Sequence, residues 1–312
     1  MNFEYLLNHK NLFPSIIGIT YYQFSCLLPK FSKHLRIAEK SKALSKSNRL
    51  RNPGGGRKSK FNSDASKLFF ILFYYKTYPT YRLAQVVFEL DIHNLFYWKA
   101  FLEPVLHDSV SYQLELPIAK ARFLHQLIEV SPGLREFITD ATERPVQRAS
   151  NQSTQENFYS GKKKSHTVKN GIYVNPRTKK IIAVTDTYLG KTHDRKIMDE
   201  DPNMTLIPPG SKGMGDSGYQ GVGVDNPRLK FVTPKRKPPG KELSTSQKDT
   251  NRQISSIRVK GEHPFAYLKH FNILKYTSRI KFNKLSENDY LKKQDLPFQT
   301  LACIYNFSLA YR

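Results

Sequence analysis

The sequence predicts an α/β protein in which a mixed sheet flanked by helices follows a small all-α domain with helix-turn-helix-like spacing. Three observations predict it. Aromatic-rich runs at helical spacing fill the first third, short β-rich runs begin near Leu134, and helical patterns return towards the C-terminus. The 312 residues suffice for one large domain and a smaller one, each with its own core.

Residues 1–28 mix aromatic and aliphatic positions, and Thr20 is an N-cap for a short helix through Tyr21 to Leu28. Residues 30–60 carry Lys30, Lys33, Arg36 and further Lys and Arg up to Lys60 against the single acid Glu39, with Pro53-Gly54-Gly55-Gly56 near the end. Residues 1–62 therefore read as a helical opening and a mobile basic linker. Ser63 caps a run to Tyr75, Pro79-Thr80 turns the chain, Tyr81 to Leu90 has helical spacing, and Asp91 leads into a helix from Leu95 to Leu106. Residues 63–115 thus resemble a helix-turn-helix, whose last helix would offer His93, Asn94 and Tyr97 to base edges or phosphates in a major groove. Three packed helices without DNA contact give the same pattern.

A larger domain is expected over residues 130–312. Phe137 to Asp140 is its first strand, with Asp140 at its end. His166 to Val174 and Ile181 to Thr185 form an antiparallel hairpin about the turn Asn175-Pro176-Arg177-Thr178. A helix starts near Thr192-His193-Asp194 and ends by Pro202. Lys212 to Gly215 and Leu229 to Thr233 are further strands. A late helix spans about Gln253 to Leu274, with Pro264 marking a kink or lying in the first turn of a helix that begins near Gly261. A last apolar helix runs through Leu301, Ile304 and Leu309.

The 50 Lys and Arg against 26 Asp and Glu give a formal charge of +24, more than solubility requires, and point to nucleic acid as the partner. A generally basic or ribosome-associated protein shares that charge. Cys26 and Cys303 exclude a disulfide framework or a Cys-rich zinc site and fit a reducing cytoplasm. The apolar run Phe69 to Tyr75 is too short to span a membrane, and the N-terminus has no signal pattern. The expectation is a cytoplasmic, nucleoid-associated protein without a membrane partner.

Three carboxylates stand where folding can unite them: Asp140 at the end of the first strand, Asp216 just after the fourth, and Glu262 on the late helix. Mg²⁺ takes oxygen ligands, usually one or two carboxylates with waters and phosphate oxygens. Three acids suffice for two such ions, which activate an attacking water or hydroxyl and stabilise the leaving oxygen in phosphoryl transfer. Each acid taken alone is a turn residue or a solvated helix residue as readily as a ligand.

The flanking strings decide between these. Ile138-Thr139-Asp140 running into Arg144-Pro145, the basic Tyr159 to Lys169 segment, Gly190-Lys191-Thr192-His193-Asp194, and Gly215-Asp216-Ser217-Gly218-Tyr219 follow one another. Arg258, Glu262 and Lys269 close the series at a spacing that puts all three on one helix face. From Phe137 to Arg279 the chain resembles insertion-sequence transposases of the DDE type, particularly the insertion-sequence-five family and the related insertion-sequence-four family. Ser255 stands where that family's signature has Tyr.

The resemblance implies an RNase H-like catalytic domain with a mixed sheet, in which Asp140, Asp216 and Glu262 are the catalytic acids and bind two Mg²⁺ or Mn²⁺ ions. Lys162, Lys163, Lys164 and Lys169 are then expected on the DNA backbone beside the metal-bound phosphate, and Arg258 and Lys269 on phosphates either side of Glu262. The expected partners are the element's terminal inverted repeats, target DNA, and further copies of the chain in a homodimer or higher oligomer. A nuclease that joins nothing needs the same acids, and a DNA-binding regulator domesticated from a transposase needs only the basic linker and helix-turn-helix.

Overall fold

A computed structural model describes residues 3–45, 59–114, 135–282 and 285–312. The Pro53-Gly54-Gly55-Gly56 run, with Arg49, Arg51, Arg57 and Lys58 around it, lies outside the described residues, as do the expected domain edges at 115 and 130.

Helices α1 (Phe3–Asn8) and α2 (Phe13–Ile17) open the chain. Thr20 and Gln23 cap each other's backbone at the start of α3 (Tyr21–Leu44). This helix runs well past Leu28 and takes in much of what the sequence suggested was linker. The cause is a buried stripe at helical spacing, Phe24, Leu27, Phe31 and Leu35, which continues into the basic stretch while Lys33, Arg36 and Lys40 face solvent.

The three helices expected next are present as α4 (Asp64–Thr77), α5 (Tyr81–Phe88) and α6 (Ile92–Val110), capped by Ser63, Thr80 and Asp91. Helix α4 is buried on every side from Leu68 to Lys76, as a helix apolar all round must be. Phe61, Phe70, Phe73, Phe88 and Trp98 interlock around it at ring separations of 5.0 to 5.8 Å.

The β-rich part begins with β1 (Glu136–Pro145), followed by α7 (Gln152–Phe158), β2 (Tyr159–Ser160), β3 (Ser165–Val174), β4 (Ile181–Val184) and β5 (Tyr188–Leu189). Asn175 turns the β3–β4 hairpin, its Oδ1 accepting from the backbone N–H of Arg177 at 2.8 Å and Thr178 at 3.1 Å. Helices α8 (Asp194–Glu200) and α9 (Asn203–Leu206) lead to β6 (Lys212–Met214), α10 (Val222–Asp225) and β7 (Lys230–Val232). The sheet is mixed, ordered β2-β3-β1-β6-β7 with β4 and β5 also on β3: β1 runs antiparallel to β3 and parallel to β6, and β6 parallel to β7.

Helix α11 (Thr245–Lys269) starts earlier than Gln253, at a Ser244–Gln247 capping box, and carries Pro264 in its interior, not in a first turn. It ends at Lys269, and the short α12 (Asn272–Lys275) is separate. Helix α13 (Glu287–Ala310) closes the chain. Among the described residues no helix is long and apolar enough to cross a membrane.

The hairpin sends its side chains to two faces, with strict alternation broken on β4 by a register shift opposite Tyr173 and Val174. Ile172, Val174, Ile181 and Val184 join one apolar cluster with α2 to α6, α11, α12 and α13, whereas Phe137, Tyr173 and Ile182 pack with Met198, Met204, Tyr219 and Leu229 on the other side. The N-terminal helices therefore share their core with the sheet. A buried cation ties the same layers together: Arg144 on β1 donates to Asn170 Oδ1 on β3 at 2.6 Å and to the Gln294 carbonyl on α13 at 3.2 Å.

Candidate active site

Asp140 and Asp216 come together because β1 and β6 are parallel neighbours that end at different places. Their pairing stops at Ile138↔Met214, while β1 continues to Pro145 on its β3 side. Asp140 is thus in the middle of its strand, contrary to the expectation that it ends one, and it stands on an edge that β6 has just vacated. Asp216 lies two residues past the end of β6, in the crevice beyond the carboxyl ends of parallel strands where such sheets take ligands. The string Gly215 to Gly218 shapes this exit. Asp216 Oδ1 accepts from the Gly218 N–H at 2.7 Å, and a Cβ on Gly215 would stand 2.8 Å from the Tyr219 ring.

Both acids are half-buried. Burial first, then the charges of Asp216 and Asp194, raise the Asp140 carboxyl to about 6, against the opposing Ala141 N–H and Arg258 guanidinium. Tyr219, buried under the acids, has its hydroxyl pushed up by burial and by the charges of Asp140, Asp194 and Asp216. Such a set suits a hard cation. Each acid spends Oδ1 on a backbone N–H, at 2.8 Å for Asp140 and 2.7 Å for Asp216, and Oδ2 has no protein hydrogen bond among the described residues.

Glu262 is not drawn into this pair. Among the described residues no three Asp, Glu, His or Cys side chains stand close enough to hold a metal together. Helix α11 presses on β1 through Gly261, where a Cβ would lie 2.9 Å from Ile138 Cγ2, and Glu262, the next residue round the helix, is exposed at the rim. Arg258, one turn earlier, is the α11 side chain whose charge reaches Asp140. Lys269 is exposed at the end of the same helix.

Lys162, Lys163 and Lys164 are exposed on the β2–β3 turn, with Lys164 at φ 52°. They are not beside the acid pair. Ile172 faces Asp140, and Ser165 lies at the far end of β3, a separation of roughly 23 Å at about 3.3 Å per residue. Lys169 is nearer, but its Nζ is engaged: it donates to the Thr192 carbonyl at 2.8 Å and to Asp194 Oδ1 at 3.0 Å, with Glu143 Oε1 at 3.8 Å. His193 caps α8, accepting from the Arg195 N–H. His93 and Asn94 are exposed at the start of α6, and Tyr97 is held by Lys42 of α3, which sits 4.0 Å over its ring.

Sequence reading missed the placement of Asp194 and of Arg236, which donates to the Ser217 carbonyl at 2.7 Å, next to Asp216. Asp194 lay within a string already singled out. Arg236 had no signal, being one of several cations in a run without a motif. A cavity of about 760 Å³ between α4–α6 and α13, lined by Tyr78, Tyr81, Phe96 and Arg279 among others, has none of Asp140, Asp216 and Glu262 on its wall.

Residues 139–306, more than half of the chain, match the family described as DDE superfamily endonuclease. The chain belongs to that family. The match starts one residue before Asp140 and takes in Asp216 and Glu262. A probable transposase for insertion sequence element IS702 from Microchaete diplosiphon is 29% identical over 187 residues, 60% of this chain. This DDE endonuclease chain spans 62% of that relative, less than two thirds of its length. No solved structure matches significantly. Family and relative agree with the resemblance to DDE-type insertion-sequence transposases seen in the motifs.

Proposed function

We propose that the chain is a DNA transposase of the insertion-sequence-five kind, which binds the terminal inverted repeats of its element, cuts phosphodiester bonds there and joins the ends to target DNA. The observation that carries the reading is the pair of carboxylates at the β1–β6 crevice, Asp140 and Asp216, each with an oxygen that has no hydrogen bond from the described residues. A first acid on the opening strand and a second past the end of its parallel neighbour fit an RNase H-like domain. Two Mg²⁺ or Mn²⁺ ions bound there would activate the attacking water or hydroxyl and stabilise the leaving oxygen.

The chain's own side chains then orient the DNA. Glu262 is the proposed third acid, completing the site when DNA seats against the exposed α11 face, with Arg258 and Lys269 on phosphates either side of it. The exposed Lys162, Lys163 and Lys164 would hold the duplex farther along, and the α4–α6 unit would dock a groove through His93, Asn94 and Tyr97. A homodimer or higher oligomer would bring two element ends together, in the cytoplasm and on the nucleoid.

The test is a plasmid carrying the ends of the element. The protein should nick it only with Mg²⁺ or Mn²⁺ and transfer the ends to a second plasmid. Asp140→Ala and Asp216→Ala should abolish nicking and leave binding, and Glu262→Gln should lower nicking by orders of magnitude. Undiminished cleavage in EDTA would sink the reading, and cleavage without strand transfer would reduce it to a nuclease.

A further inference from the structure

Most of the cations around the acid pair are already engaged. Lys169 donates to the Thr192 carbonyl and to Asp194. Arg195 of α8 donates to the Gln220 carbonyl at 3.0 Å and pairs with Asp199 and Asp225. Lys237, in the loop after β7, pairs with Glu242. On the α11 side, Arg258 directs its charge at Asp140.

Arg236 is the exception on the Asp216 side. Its Nη2 donates to the Ser217 carbonyl at 2.7 Å, one residue past the acid, and among the described residues it has no carboxylate partner. A guanidinium carries five N–H donors in a rigid fork. The neutral carbonyl aims that fork without compensating its charge, and the remaining donors stay open to an oxyanion. The side chain is exposed, but the backbone before it is braced from two elements. The Pro234 carbonyl accepts from Gln220 Nε2 at 3.4 Å, and the Lys235 backbone exchanges hydrogen bonds with the Asn251 side chain of α11 at 2.9 and 3.0 Å. The loop after β7 is thereby pinned both to the loop that carries Asp216 and to the helix that carries Arg258.

We propose that Arg236 binds a phosphate of the DNA strand close to the one that is cut, and so holds the strand on the Asp216 side of the crevice. This rests on the reading of Asp140 and Asp216 as the cutting site. A strand entering the crevice brings its phosphates against two carboxylates, and like charges repel. Arg258 offsets that repulsion from α11 and Arg236 offsets it from the loop after β7. The planar fork suits a phosphate, which it grips with two parallel N–H donors.

Binding of the full chain to a duplex bearing one element end, followed in EDTA so that nothing is cut, tests it. Arg236→Ala should weaken binding about tenfold and lower the slope of log affinity against log salt concentration by about 0.9, as the loss of one phosphate contact does. Arg236→Gln, which keeps an N–H donor for the Ser217 carbonyl but has no charge, should lose as much. Replacing the phosphates near the cleavage point one at a time with neutral methylphosphonate should weaken the wild type about tenfold at one position, and Arg236→Ala no further there. Because the side chain is exposed, both variants should melt within about 2 °C of the wild type. Wild-type affinity and salt slope in Arg236→Gln would show that bracing Ser217 is the whole role of Arg236 and refute the proposal. Equal losses in Arg236→Ala and the wild type at every methylphosphonate position would refute it too. In either case a wild type that cuts element ends leaves the transposase reading standing. A wild type that cuts nothing with Mg²⁺ or Mn²⁺ removes that reading and this inference with it.

Discussion

At Asp140 the site works against the fold. Its carboxyl is raised from 3.8 to about 6, first by burial and then by the charges of Asp216 and Asp194, so between those values the folded chain holds a proton that the unfolded chain has lost. Stability contributed by this residue therefore falls as pH rises through that window and stays low above it. Asp140 is half-buried, so solvent screening cuts the effect to roughly 1 kcal/mol. Asp140→Asn should unfold in urea with about 1 kcal/mol more stability than the wild type at pH 7.5 in EDTA, and the difference should vanish at pH 4. Comparison with this variant isolates Asp140 from Asp295, which burial also raises to about 6. Added Mn²⁺ should reverse the order by stabilising only the wild type. A variant less stable than the wild type in EDTA at pH 7.5 would contradict the account.

Helix α11 sets how near Arg258 and Glu262 come to the acids, and Gly261 is its contact with β1. Leu is a better helix former than Gly by nearly 1 kcal/mol, so an unconstrained α11 would gain from Gly261→Leu. Because a Cβ at 261 already lies 2.9 Å from Ile138 Cγ2, the substitution should instead destabilise by about 2 kcal/mol in urea unfolding, while Lys260→Leu next to it, exposed, should stay within about 0.5 kcal/mol. A stabilised Gly261→Leu would mean that α11 does not bear on the strand. The elements also differ in how far the sequence revealed them. The Asp216 exit was legible because its glycines do their work within a few residues, and the β3–β4 hairpin because its turn is closed locally, chiefly by the Asn175 side chain. The start of α11 was hidden, since Thr245 to Arg252 is polar and largely exposed and only the Ser244–Gln247 cap announces it. The pairing of Lys169 with Asp194 was hidden for another reason: it depends on a strand and a helix meeting in space, which no local pattern encodes.

On the scale of the whole molecule, the order of α4, α5 and α6 followed from spacing and caps, but their lack of a separate core did not. The signal was present in Leu68 to Tyr75, a run apolar on every face, which only a helix surrounded by partners can bury. Those partners come from both ends of the chain. The same apolar cluster holds Phe70 and Leu106 from the N-terminal helices, Ile172 and Val184 from the sheet, and Phe298 and Phe307 from α13. Polar ties cross the same boundary: Lys76 donates to the His270 carbonyl at 3.0 Å, and His107 meets the Thr300 hydroxyl at 3.2 Å. Removing residues beyond 114 would expose α4 and α6 along their α12 and α13 faces, and a fragment of this size has little core to spare. A fragment of residues 1–114 should therefore lack a cooperative thermal transition, and the full chain should melt in a single calorimetric transition in which helical and sheet signals are lost together. Two separated transitions, with the first matching a folded 1–114 fragment, would show instead that the helical region stands as a domain of its own.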